Sequence, residues 1–242
     1  MNELTKVVVV TRGRTGSSAI TQELGQAPGC RSEQEAFSRA PPTELFDFPP
    51  FEAWRSERGG DDEAGLADAY LDALERDARD RGCRALFWKL LSNQYAERPY
   101  IGELLQRRGY RAIHLRRRPV RQVVSGLVAH QSGVWVTTDP RALRRRYRVD
   151  VESLRQLTAI ERYATNRDEA WLYRHRLGAV DAAYEDYLAD RGAFFARVYA
   201  GLGLPEALPE PTRFAVTLPD LEAAIANYDE VRSVAEELGE RL

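Results

Sequence analysis

Four consecutive valines, Val7 to Val10, followed by Thr11 predict a strand buried on both faces. The run empties into Arg12-Gly13-Arg14-Thr15-Gly16-Ser17-Ser18, and the spacing predicts a helix over residues 17–25. Residues 27–60 are rich in Pro, Gly and aromatics (Ala40-Pro41-Pro42, then Phe46-Asp47-Phe48-Pro49-Pro50-Phe51) and read as one long irregular segment, of the kind that usually serves a site. Asp61 or Asp62 then caps a helix whose apolar positions Leu66, Tyr70, Leu74 and Ala78 recur at helical spacing until Gly82.

A second strand is expected over 84–90, a helix over 99–109 and a third strand over 110–115, which runs into Arg116-Arg117-Arg118-Pro119. Pro119 suits the first turn of a helix over 119–131 that carries Val120, Val123, Val124, Leu127 and Val128 on one face. After a basic, proline-interrupted stretch at 137–148, a long amphipathic helix over 151–176 is expected to turn Leu154, Leu157, Ile160, Ala164 and Trp171 inward. A last strand over 178–183 leads into a helix over 184–200. Alternating strands and helices of this kind predict an α/β fold, a mostly parallel sheet with helices on both faces, spanning residues 1–242 as a single domain. In such sheets ligands sit beyond the C-terminal strand ends, where the 12–18 turn, Lys89 and the 116–118 turn would converge.

The chemistry of the first turn follows from its residues. Amides at Gly16 to Ser18 would be free helix-N-terminal donors, Gly13 and Gly16 permit a tight backbone, Arg14 adds a fixed charge, and Ser17 and Ser18 add hydroxyls. That is a phosphate cradle without the lysine of a Walker motif; the alternative is an ordinary strand-to-helix turn. At the second turn, Arg117 and Ser125, eight residues apart and about two helical turns into the following helix, suit a shared phosphate; the alternative is a solvated turn and a small buried residue.

Composition narrows the partners. The 242 residues carry 35 basic and 37 acidic side chains, so the overall field gives no reason to expect nucleic acid, and any anion site is local. No apolar run approaches the roughly 20 residues needed to span a bilayer, and the start MNELTK lacks a signal-peptide pattern, so no membrane insertion and a cytoplasmic location are expected. Cys30 and Cys83, the only cysteines, lack metal-ligand spacing and suit a reducing compartment.

Four segments together resemble the PAPS-dependent sulfotransferases, which use 3′-phosphoadenosine 5′-phosphosulfate. Arg14-Thr15-Gly16-Ser17-Ser18 looks like the family's 5′-phosphosulfate loop, and Leu115-Arg116-Arg117-Arg118-Pro119 through Val124-Ser125 looks like its 3′-phosphate motif. Tyr184-Glu185-Asp186-Tyr187-Leu188 and Leu202-Gly203-Leu204 resemble its Tyr-Glu-Asp-Leu segment and the Leu-Gly that closes the next helix; this part is read as structural. Gln131-Ser132-Gly133-Val134-Trp135 and Phe87-Trp88-Lys89-Leu90 are similar to the bacterial subgroup that includes trehalose and nodulation-factor sulfotransferases.

The resemblance implies the three-layer, P-loop-like sulfotransferase fold and transfer of a sulfuryl group from PAPS to a hydroxyl of a carbohydrate or small molecule, with PAP as product and no metal required. Arg14, Thr15, Gly16, Ser17, Ser18, Arg117 and Ser125 would bind the nucleotide, with Arg14 and Lys89 as cations at the reacting group. In the trehalose-type subgroup the base is a glutamate after the first helix, a place held here by Arg31-Ser32-Glu33-Gln34-Glu35; Glu33 is the first choice and Glu35 the second. The branch that uses histidine leaves His130, near a helix end, as a further candidate. The acceptor pocket is expected along 37–54 and 135–147, and the 151–176 helix is a candidate homodimer interface. Two other readings compete: a small-molecule kinase using Mg-ATP, against which stand the missing G-x-x-x-x-G-K-[ST] and the lack of a clear magnesium-binding aspartate at a strand end, and a non-catalytic nucleotide-binding relative.

Overall fold

The computed structural model describes residues 3–39, 47–139, 145–216, 218 and 220–242. Five strands, β1 (Thr5–Thr11), β2 (Cys30–Glu35), β3 (Ala85–Leu91), β4 (Arg111–Arg116) and β5 (Ala179–Ala183), form one sheet in the order β2-β3-β1-β4-β5. Every pairing is parallel. β1 lies in the centre because its valines are apolar toward both faces. Val7 and Val9 pack with Ile20 and Leu24 of α1 (Ser17–Gln26), and Val8 and Val10 with Tyr70, Leu71 and Leu74 of α3 (Glu63–Asp80). The first layer is completed by Phe194, Phe195 and Val198 of α9 (Arg191–Gly201), and the second by Ile101, Leu104 and Leu105 of α5 (Ile101–Arg107). Two helical layers around one parallel sheet are the α/β arrangement that the periodicity predicts.

Beyond the strand ends lies a third apolar cluster. Val120, Val124 and Val128 of α6 (Pro119–Ser132) and Leu154 of α7 (Val151–Arg174) meet Val231 and Val234 of α11 (Tyr228–Glu237), which follows the single turn α10 (Leu221–Ala224). Pro119 opens α6 as expected, and Asp62 caps α3 by accepting from Gly65 N–H at 3.0 Å.

Four differences from the sequence expectation have physical causes. The 27–60 segment is not wholly irregular: it holds β2, an edge strand of the composition Cys-Arg-Ser-Glu-Gln-Glu, and the short helix α2 (Phe51–Ser56). β2 lacks the usual β-formers, and polar contacts hold it instead: Arg31 pairs through Nη2 with Glu33 of the same strand at 2.7 Å and through Nη1 with Asp77 of α3, and Gln34 Nε2 donates to Ser18 O at 3.2 Å. The expected helix over 184–200 breaks into α8 (Tyr184–Ala189) and α9, since Asp190 leaves helical geometry and caps the second by accepting from Ala193 N–H at 2.9 Å. The short helix α4 (Ser92–Glu97) extends directly from β3.

The fourth difference concerns α7. Leu154, Ala164 and Trp171 are buried as expected, but Leu157 and Ile160 are 38% and 55% exposed, because the helix turns toward the third cluster through Leu154 and Thr158 rather than through those positions. Leu154→Ala is therefore expected to destabilise by about 2–5 kcal/mol and Leu157→Ala by under about 0.5 kcal/mol, as measured by denaturant unfolding. Equal losses would show that α7 buries the other face.

Candidate active site

At the C-terminal edge of the sheet the chain order reverses at β1: α1 leads toward β2, whereas the connection after β4 leads to β5. The loops after β1 and β4 therefore part and leave a crevice between them. The turn after β1 needs left-handed backbone at Arg14 (φ 68°) and Gly16 (φ 75°). At Gly16 a Cβ would stand 2.1 Å from Cε2 of Tyr184, so both conformation and space demand glycine. Gly13, expected to matter equally, faces open space.

Holding Arg14 in this region carries a penalty of about 1–2 kcal/mol, which neighbouring donors offset. Arg117 Nη1 donates to Arg14 O at 2.9 Å, and Gln122 Nε2 donates to Gly13 O at 2.9 Å. Thr15 Oγ1 bridges Thr11 Oγ1 at 2.6 Å and Arg12 O at 3.0 Å, while Thr11 Oγ1 donates across to Leu115 O at 2.9 Å. Arg12 is drawn outward to Glu161 of α7, its Nη2 at 3.0 Å from Oε1. The first turn of α1 contains no acidic residue, so the free amides and the positive end of the helix dipole are left for an outside anion.

Arg14, Gly16, Ser17, Ser18 and Arg117 line a single cleft, open to solvent. Arg14 reaches Ser125 Oγ on α6 through Nε and Nη2 at 3.2 and 3.0 Å, donates to Trp135 O, and lies 5.9 Å from the Trp135 ring centroid. Arg117 stacks 4.8 Å over Tyr184, and its buried Nε has no hydrogen-bond partner among the described residues. Burial lowers the pKa of both guanidiniums, and the Arg117 charge lowers that of Arg14 further. Neither loses its proton, given the very high starting value. The outer wall consists of residues 135–137, Thr212 and residues 214–216, joined by Ala215 N–H to Thr137 O at 2.8 Å. Fully buried Glu23 anchors it, accepting from Tyr187 Oη at 2.8 Å, Arg191 Nε at 2.7 Å and Thr212 N–H at 2.7 Å.

At the other end of the cradle, Lys89 Nζ donates to Ser18 Oγ at 2.9 Å and pairs with Glu35 Oε1 at 3.0 Å. A register shift in β2 produces this meeting. Glu33 pairs with Trp88 but Glu35 with Lys89, so two residues of β2 are matched by one of β3 and Glu35 is re-aimed. Burial lowers the Lys89 pKa, and the Glu35 carboxylate opposes that shift.

A family model described as Stf0 sulphotransferase matches residues 6–217. The chain belongs to this sulfotransferase family. No curated protein matches the sequence. Among solved structures, a sulfotransferase from Alicyclobacillus acidocaldarius is 19% identical, with a TM-score of 0.50 over 98% of this chain and 97% of its own, which shows the shared fold. The sulfotransferase domain from the curacin biosynthetic pathway is 15% identical with a TM-score of 0.47, over 100% of both chains.

In this sulfotransferase the expected nucleotide residues Arg14, Gly16, Ser17, Ser18 and Arg117 meet at one cleft, with Ser125 directly behind Arg14. Thr15 does not line the cleft, because its hydroxyl is used inside the turn. Of the three base candidates only Glu35 is joined to the cradle, through Lys89 and Ser18. Glu33 is buried in an ion cluster with Arg31 beside α3 and also accepts from Asp47 N–H at 3.2 Å; burial pushes its carboxyl up against the pull of Arg31. His130 is exposed in the last turn of α6, and none of Glu33, Glu35, Lys89 and His130 lines the cleft itself.

The acceptor segments are only partly described: residues 40–46 and 140–144 lie outside the described residues. Phe37, Phe51 and Trp54 belong to the core around Tyr70 rather than to a pocket, while Trp135 to Thr137 do line the cleft. Tyr184, read as structural, also lines it, as do Thr212 and Phe214; in the sequence only the Tyr-Glu-Asp resemblance pointed near them. Among the described residues no group of three or more His, Cys, Asp or Glu side chains could hold a metal ion, and no helix is long and apolar enough to cross a membrane.

Gly16→Ala is expected to destabilise by about 1–3 kcal/mol, whereas Gly13→Ala changes stability by less than about 0.5 kcal/mol. Thermal and denaturant unfolding of the two variants check this; a harmless Gly16→Ala would mean that Tyr184 yields without cost.

Proposed function

We propose that the protein transfers a sulfuryl group from PAPS to a hydroxyl of a carbohydrate or small-molecule acceptor, with PAP as product and no metal ion required. The observation that carries this reading is the joint presence, in one cleft, of the acid-free N-terminus of α1 and two desolvated guanidiniums, Arg14 and Arg117. Half-buried cations that share a cleft repel one another, and a ligand with two anionic groups removes that penalty. The unpartnered Arg117 Nε and the Ser125 hydroxyl suit the 3′-phosphate, and the Gly16 to Ser18 amides suit the 5′ group.

PAPS supplies an activated sulfur whose bond to the 5′-phosphate oxygen breaks as the acceptor oxygen attacks. Glu35 accepts the proton from the attacking hydroxyl. Arg14 and the cradle amides neutralise the charge that grows on the departing phosphate, a contribution that in comparable sites is worth a few kcal/mol per donor. Lys89, anchored between Glu35 and Ser18, adds a cation where the base and the cradle meet. Positioning and electrostatics would thus supply most of the rate, as in phosphoryl transfer.

PAP without magnesium is expected to raise the melting temperature, and labelled PAPS offered with cell extract is expected to yield a sulfonated product visible by mass spectrometry. A response to Mg-ATP alone would favour a kinase, and PAP binding with no transfer across a broad acceptor panel would favour a non-catalytic relative. Arg117→Ala is expected to weaken PAP binding by about 10- to 100-fold while affecting the 3′-dephospho nucleotide far less. Glu35→Gln is expected to lower kcat by about 100-fold or more at unchanged PAP affinity. Full activity of that variant would return the role of base to Glu33 or His130.

A further inference from the structure

Gln94, in the first turn of α4, is 97% buried and spends both ends of its amide on named partners. Its Oε1 accepts from Leu91 N–H at 3.1 Å, and its Nε2 donates to Glu35 Oε2 at 3.2 Å. A backbone N–H can only donate, so the amide oxygen must face Leu91 and the amino group must face Glu35. The other carboxylate oxygen, Glu35 Oε1, meets Lys89 Nζ at 3.0 Å. The two oxygens of Glu35 are therefore gripped by two donors from consecutive parts of one segment, the end of β3 and the start of α4.

That segment is itself clamped. Ser92 Oγ lies 2.5 Å from Asp168 Oδ2 on α7 and 3.1 Å from Thr11 O, and Tyr95 Oη donates to Asp168 Oδ1. Tyr95 also stacks on Trp171 of the same helix, with ring centroids 4.3 Å apart. An interior amide whose donor is aimed at a carboxylate from another strand, on a helix pinned from behind, has the geometry of a support for that carboxylate.

We propose that Gln94 is a positioning residue that acts through Glu35, holding its carboxylate in one rotation with a neutral donor while Lys89 holds the other oxygen. Its catalytic meaning rests on Glu35 being the base. The contact itself does not, and the test separates the two. Glu35 carries the charge and the proton; Gln94 decides which way the carboxylate faces and adds no charge of its own.

Gln94→Glu keeps an acceptor for Leu91 N–H but puts a second carboxylate where the donor stood. Two carboxylates this close cannot ionise independently. The ¹³C carboxyl resonance of Glu35, assigned by its loss in Glu35→Gln, is expected to titrate about one pH unit or more higher in Gln94→Glu than in the native protein. Gln94→Met, which keeps the bulk and removes the donor, is expected to move it in the same direction by less. PAP affinity is expected to be unchanged in both, and the acid limb of kcat/KM, read with any acceptor found by the transfer assay, is expected to follow the resonance. Unchanged titration of Glu35 in the folded variants overturns the proposal; should Gln94→Glu not fold, unchanged titration in Gln94→Met overturns it equally. If the resonance moves but Glu35→Gln retains full turnover, the positioning contact stands and the base assignment falls. If Glu35→Gln abolishes turnover and the resonance does not move, only the role of Gln94 falls.

Discussion

The left-handed turn between β1 and α1 is the constraint on which the site depends. Its backbone is unfavourable at Arg14 and is held by donors from β4 (Arg117) and α6 (Gln122), while Glu161 of α7 draws Arg12 outward. Those elements reach the turn only because β4 lies beside β1 in the sheet. The same arrangement brings the partly desolvated Arg14 and Arg117 guanidiniums to one cleft, where their mutual repulsion is tolerated because the surrounding packing determines both side chains.

Of the helices that start at this sheet edge, α1 and α6 both follow an arginine-rich turn, and the protein treats them differently. At α6 the exposed amides are already answered: Arg118 N–H donates to Glu185 at 3.1 Å and Val120 N–H to Glu240 at 2.9 Å. At α1 the first turn has no acid, and arginines stand nearby instead. An internal carboxylate is always present and turns a helix terminus into structure. A terminus left to cations and free amides is electrostatically suited to an anion from solution, as the proposed function requires. The electrostatic contrast therefore separates a helix start closed by internal carboxylates from one left open, although both follow a strand and an arginine-rich turn.

β2 shows how a strand with little intrinsic preference joins a sheet. Gly25 lets α1 approach so closely that a Cβ there would stand 2.2 Å from Ser32 Oγ, and the Arg31–Glu33–Asp77 cluster satisfies the opposite face. The register shift between Glu33 and Glu35 then divides two nearly adjacent glutamates between different environments. One is enclosed with Arg31 beside α3, and the other joins Lys89, Ser18 and Gln94 at the cradle.

Local patterns in the sequence were sufficient for the central strands, the α3 helix with its Asp62 cap, the α6 helix opened by Pro119, the α/β class and the positions of the two turns that follow β1 and β4. Val7 to Val10, Asp62, Pro119 and the Gly16-Ser17 junction act through backbone conformation and burial within a few residues of themselves, which makes them readable in one dimension. Resemblance to the sulfotransferases added the pairing of Arg14 with Arg117. Tertiary structure alone decided that β2 is a strand, that Leu157 and Ile160 of α7 face solvent, that Thr15 serves the turn rather than the cleft, and that Glu35 rather than Glu33 meets the cradle. Each of these turns on a partner distant in the chain, such as Asp77, Lys89 or Gln94, and a side chain's direction in a polar edge strand is set by those partners rather than by its own sequence neighbours.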